Sequence, residues 1–203
     1  MPIALITGAS RGLGRAAAHA LARRGWSLIV DARRADDLAG AMRGLADVVT
    51  VPGDVTDPGH RADLAAAAGR AGGLDLLVNN ASRLGPSPQP LLRDYPLDEL
   101  GRVYDTNVVA PLALIQLLTA PLAAAAGTIV NVSSDAAVEA YPGWGGYGSA
   151  KAALDQLTAV LLARRSPPLG EALSLAEGAM GGVKQRTECT ESSGSRGSAN
   201  HGS

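Results

Sequence analysis

Phenylalanine is absent from this chain and aromatic residues make up only 3% of its 203 residues. Aliphatic side chains must therefore fill the core, and no aromatic platform for stacking nucleic-acid bases is in evidence. A single cysteine, Cys189, excludes an intramolecular disulfide. The formal net charge of -1 at pH 7 supplies no field that would gather nucleic acid or an anionic membrane surface. No basic leader precedes the first apolar run, which starts at Ile3, so the expectation is a cytoplasmic protein. Long uninterrupted apolar runs are scarce too. The longest, 108–126, is broken by Pro111, Gln116 and Pro121 and is rich in weakly hydrophobic alanine, which favours a buried helix over a membrane span.

What is present is alternation. Short aliphatic or β-branched runs at 3–7, 27–31, 47–51, 74–79 and 128–132 are separated by longer Ala/Leu/Arg segments at 12–24, 36–45, 58–70, 97–125 and 147–163. The short runs are continuously apolar, so both faces of their sheet must be covered. This predicts a doubly wound α/β domain over 1–165, with a parallel sheet in the order 3-2-1-4-5. Its ligand crevice lies at the carboxyl ends of strands one and four. Beyond Arg165 the character changes: Pro167 and Pro168 stop the helix, 166–183 is atypical, and 184–203 reads as a disordered Ser/Gly-rich tail.

The first strand runs into the turn TGASRGLG, residues 7–14, and then a helix. Gly8, Gly12 and Gly14 let the backbone turn tightly and approach a pyrophosphate, while Ser10, Arg11 and Leu13 line the same turn at a helix N-terminus that favours anions. Asp31, at the end of strand two, is a candidate acceptor for a ribose 2′-hydroxyl, which would favour NAD(H). Arg11, Arg33 and Arg34 argue for NADP(H), because guanidinium groups neutralise a 2′-phosphate through charge-assisted bonds.

Strand five leads to Ser134, and a loop then reaches Tyr147 and Lys151, four apart and thus on one helix face. A phenol with a pKa of about 10 is a poor proton shuttle near neutrality, and an ammonium beside it favours the phenolate. A hydroxyl at Ser134 would then hydrogen-bond a carbonyl oxygen while Tyr147 exchanges the proton.

Taken together, the turn TGASRGLG, the segment NNA at 79–81, and Ser134 followed by Tyr147 and Lys151 resemble the short-chain dehydrogenase/reductase family over 2–162. The resemblance implies a Rossmann-like fold and hydride transfer between a nicotinamide and a small carbonyl or alcohol substrate, with Tyr147 as general acid/base. It further implies that Ser134 positions the substrate oxygen, that Lys151 binds the nicotinamide ribose, and that Asn107 supports a water-linked proton relay. Asp54 and Val55 are assigned to the adenine pocket, Asn80 and Ala81 to the cofactor beside strand four. No metal is implied. The acidic position typical of NAD-using members falls on Ala32, with Arg33 next to it, a register that favours NADP(H).

Two departures stand out. Ser82 occupies a position where the family commonly has glycine, and its side chain is expected to crowd the cofactor. The family's later strands are missing or degenerate: Leu173-Ser174-Leu175 is the least poor strand candidate, and strand five is left as an apolar edge that invites association. Weak activity is therefore expected, with a non-catalytic nucleotide-binding protein of the same fold as the alternative. Excess apolar surface on the last two helices points to a homo-oligomer.

Overall fold

A computed structural model describes residues 1–163, 172–177 and 183–186. Its strands are β1 (Ile3–Ile6), β2 (Ser27–Ala32), β3 (Val48–Pro52), β4 (Leu76–Asn79), β5 (Thr128–Ser134), β6 (Ala172–Glu177) and β7 (Val183–Arg186). Its helices are α1 (Gly12–Ala22), α2 (Ala35–Ala41), α3 (Pro58–Ala71), α4 (Leu97–Tyr104), α5 (Ala110–Ala124) and α6 (Gly145–Ala163). The sheet order is β3-β2-β1-β4-β5-β6-β7. All neighbours pair parallel except β7, which returns antiparallel to β6.

Successive strand residues face opposite sides, and the core divides accordingly. Ala4, Ile6, Leu28, Val30, Ala32, Val78, Val130 and Val132 pack with α1 and α2. Leu5, Ile29, Leu77 and Ile129 pack with α3 and α5, whose Leu114, Ile115, Leu118 and Leu122 are buried. The run Leu97–Ala124 is long and apolar enough to cross a membrane by length and composition, but its inner face is committed to this core.

Three expectations change. The single helix expected over 97–125 widens at Asp105–Val109 into one π turn, where the Ala110 N–H reaches back five residues to the Asp105 carbonyl. Pro111 supplies the reason, since it has no N–H to give the Asn107 carbonyl four residues earlier. Strand β5 is also not an edge. Strand β6 pairs with it from Ile129↔Ala172 to Ser134↔Glu177. The weak strand propensity of 172–177 is overridden by the backbone groups that β5 offers. Strand β7 starts at Val183, so the tail expected from Lys184 begins inside a strand, and the rest of it, 187–203, lies outside the described residues.

Candidate active site

At the carboxyl ends of β1, β2 and β4 a cleft of about 600 Å³ opens. One wall is the glycine turn, with Gly8, Ser10, Arg11, Gly12 and Leu13. Gly8 has φ +68°, and a Cβ there would come within 2.9 Å of the Ala81 Cα, so both the conformation and the close approach of the β4 segment demand glycine. Arg11 precedes α1 in extended backbone and gives its helix no side-chain cap, leaving the first-turn N–H groups for an anion.

Asn80 fixes the turn. Its Nδ2 donates to the Thr7 carbonyl at 2.8 Å and to the Gly8 carbonyl at 3.1 Å. Thr7, which sequence reasoning passed over, returns the grip: its Oγ1 accepts from the N–H groups of Asn80 and Ala81, each at 3.0 Å. Gly14 lies beneath, packed on the Asn80 amide.

Opposite, Ala32, Arg33, Asp54, Val55 and Thr56 form the second wall. Partial burial works to raise the Asp54 carboxyl, but hydrogen bonds from Thr56 and the charge of Arg33 outweigh it and hold the group below its ordinary value. Of the three arginines considered, Arg11 and Arg33 line the cleft. Arg34 instead pairs with Asp37 in the first turn of α2 at 3.1 Å.

Asp31 requires a correction. Expected as a ribose acceptor, it is 1% exposed with both oxygens engaged: Oδ1 accepts from the Gly8 N–H at 2.6 Å, and Oδ2 lies 3.0 Å from His60 Nε2. Strand parity brings it to this side, and His60 and Gly8 hold it there. Asp31 shares the α3 side with Ile29, whereas Ala32 shares the other side with Val30. Burial pushes its carboxyl up, opposed by the His60 and Gly8 hydrogen bonds.

The third wall comes from Asn80 to Gly85 together with Arg102, Asp105 and Thr106 on α4 and the π turn. Arg102 and Thr106 were missed because the long helix reads as buried, although one turn apart they mark a polar face. From the proline-rich loop 84–96, Leu84 and Gly85 line the cleft. Asn107 is fully buried. Its Oδ1 accepts from Ser82 Oγ at 3.1 Å and from the Arg83 N–H at 2.9 Å, and its Nδ2 donates to the Arg83 carbonyl at 2.9 Å. The carboxamide thus anchors this wall. Ser82, expected to crowd the cofactor, has its hydroxyl tied to Asn107.

Ser134, Tyr147 and Lys151 lie outside the lining of that cleft, gathered where β5 meets α6. Lys151 is 1% exposed, and its Nζ donates to the Val132 carbonyl at 2.6 Å and sits 5.6 Å from the Tyr147 ring centre. A buried ammonium demands such acceptors. Ser134 Oγ accepts from the Ala136 N–H at 3.2 Å and donates to Asp135 Oδ1 at 3.1 Å. The turn that follows, Asp135–Ala137, is drawn against α6 because Gly148 has no Cβ: one there would lie 2.5 Å from the Ala136 carbonyl oxygen. The residue beside Tyr147 therefore sets how closely the Ser134 turn approaches. Tyr147 is half-buried, its ring edge-on to Trp144 with centres 5.9 Å apart. On the far side the Tyr95 ring packs against Gly85 and Gly146, joining the cleft wall to the first turn of α6.

This combination of a glycine-turn cleft and a tyrosine-lysine helix on a parallel sheet defines a class, and comparison with known proteins agrees. The short chain dehydrogenase family profile matches residues 2–167, and the chain belongs to that family. It is similar to the short chain dehydrogenase asqE of Emericella nidulans, with 36% identity over 171 residues, covering 79% of this chain and 63% of that protein. It is also similar to serine 3-dehydrogenase of Rhizobium radiobacter, 36% identical over 159 residues, 76% of this chain and 62% of the relative. The chain thus spans about three fifths of the length of these relatives. Among solved structures, an alcohol dehydrogenase from the archaeon Thermococcus sibiricus complexed with 5-hydroxy-NADP superposes with a TM-score of 0.80 at 29% identity, over 88% of this chain and 77% of that one.

Proposed function

We propose that the protein is an NADP(H)-dependent oxidoreductase acting on a small carbonyl or alcohol. The observation that carries the reading is the placement, at the carboxyl ends of one parallel sheet, of a backbone anion cradle after β1 and the Tyr147–Lys151 pair beside Ser134 after β5. The cleft fits a dinucleotide: a glycine turn without side-chain obstruction faces an uncapped helix start, and Ala32 leaves room beside Arg33. Gly8, Ser10, Arg11, Gly12 and Leu13 would hold the pyrophosphate, with Gly14 and Asn80 keeping the turn in shape. Asp54 and Val55 would flank the adenine, and Ala81 would meet the cofactor beside β4. Arg33 would neutralise a 2′-phosphate. The withdrawal of Asp31 into the sheet and the NADP derivative bound by the archaeal relative both support NADP(H) over NAD(H).

When bound, the nicotinamide supplies or accepts the hydride at the substrate carbon. In reduction, Ser134 Oγ donates a hydrogen bond to the carbonyl oxygen, and the Tyr147 phenol gives that oxygen its proton. Lys151 favours the phenolate left behind and would bind the nicotinamide ribose. A relay through Asn107 falls to its main-chain carbonyl, to which Pro111 cannot donate, because its carboxamide is held by Ser82 and Arg83. Exposed Val109, Leu117, Val160 and Leu162 on the π turn, α5 and α6 support a homo-oligomer.

The test is NADPH oxidation over a panel of small ketones and aldehydes by the native chain and by Tyr147→Phe. Turnover that falls at least about a hundredfold in the variant is expected. NADPH binding with no Tyr147-dependent turnover would leave a nucleotide-binding protein without this chemistry.

A further inference from the structure

Beneath the glycine turn, α3 sends His60 inward to the end of β2, and His60 is 6% exposed. A carboxylate only accepts hydrogen bonds, so His60 Nε2 carries the proton of its 3.0 Å contact with Asp31 Oδ2. The second oxygen of Asp31 is held at 2.6 Å by the Gly8 N–H. The ring reaches this position because Gly53, at the end of β3, has no side chain; a Cβ there would strike the imidazole. Three elements thus converge on one buried carboxylate at the edge of the cleft.

We propose that His60 is a positioning residue for cofactor choice: by holding Asp31 Oδ2 inside the sheet, it leaves the adenosine ribose to Ala32 and Arg33 and keeps an acidic group from the 2′ position. The inference rests on the NADP(H) reading and names the part of the fold that enforces it. Without His60, an Asp31 oxygen is buried and unpartnered, at a residue that already contributes to the cleft wall. The carboxylate then turns toward solvent in the cleft, where it repels a 2′-phosphate, competes for Arg33 and offers an acceptor to a 2′-hydroxyl.

The experiment is equilibrium titration of the full chain with NADP⁺ and with NAD⁺, read as the ratio of the two dissociation constants. His60→Leu is expected to lower the preference for NADP⁺ about tenfold, the scale of one added charge at this range. His60→Gln, which keeps a donor for Asp31, holds the native ratio within about twofold. Adding Asp31→Asn to His60→Leu restores the native ratio by removing the released charge. Should leucine at 60 prevent folding, Gly53→Ala displaces the ring instead, with the same shift and the same restoration by Asp31→Asn. Equal weakening of both nucleotides, or no restoration, overturns the role of His60. A native chain that prefers NAD⁺ would defeat the cofactor reading by itself, while the change of ratio in these variants still decides the role of His60.

Discussion

The two ends of the site are held together by different means. Around the glycine turn, position is set by backbone: the N–H of Gly8, the carbonyls of Thr7 and Gly8, and the polar side chains of Asn80 and Asp31 that tie them down. Where β5 meets α6, elements close in sequence, position is set by one long side chain, Lys151 on the Val132 carbonyl, and by the close approach that Gly148 allows to the Ala136 carbonyl. A backbone cradle accepts an anion by shape, so losing one of its side chains weakens binding by degrees. A site built on one phenol and one ammonium fails when either is removed. The comparison teaches that binding and chemistry should separate cleanly in variants.

Lys151→Met is expected to have the largest effect. Turnover should fall about a hundredfold or more, and the pH optimum of reduction should move upward once no ammonium favours the phenolate. A pH–rate profile checks this, and an unmoved optimum would detach Lys151 from Tyr147. Arg33→Ala should come next, with NADPH affinity falling about tenfold to a hundredfold, the scale of a lost charge-assisted bond, and NADH affinity unchanged. Titration with both nucleotides reads it, and equal losses would blur the division between the two ends. Gly148→Val pushes the Ser134 turn off α6. It should cost about 1–3 kcal/mol in denaturant unfolding and lower turnover while NADPH binding persists.

The smallest effect belongs to Asp54→Asn. The folded carboxyl sits below its ordinary value, so its contribution to stability is present above the unfolded pKa and is lost as pH falls through the folded one. The variant should melt slightly lower at neutral pH, with the difference shrinking in acid. Melting curves across pH would show the trend, and a difference that grows in acid would contradict it.

Much of this was legible in the sequence, for physical reasons that differ by region. The glycine turn, the β5 serine and the Tyr147–Lys151 spacing are local patterns, and all lie on the elements expected of them. The five apolar runs yielded the order 3-2-1-4-5 because parallel crossovers leave few alternatives. What escaped was pairing at a distance. That Asp31 points to α3 and meets His60 follows from strand parity only once Ile29 and Ala32 are known to face opposite cores. The π turn follows from Pro111, which cannot give the Asn107 carbonyl an N–H, but a proline within an apolar run reads equally as a kink or a break. Strand β6 has a sequence of poor strand character and exists because β5 presents it with a register.

The account stands most directly on titration of the full chain with NADPH and with NADH, followed by fluorescence of the reduced nicotinamide. It predicts saturable binding of NADPH at least about tenfold tighter than of NADH. No saturable binding of either nucleotide, or a preference for NADH, would contradict it.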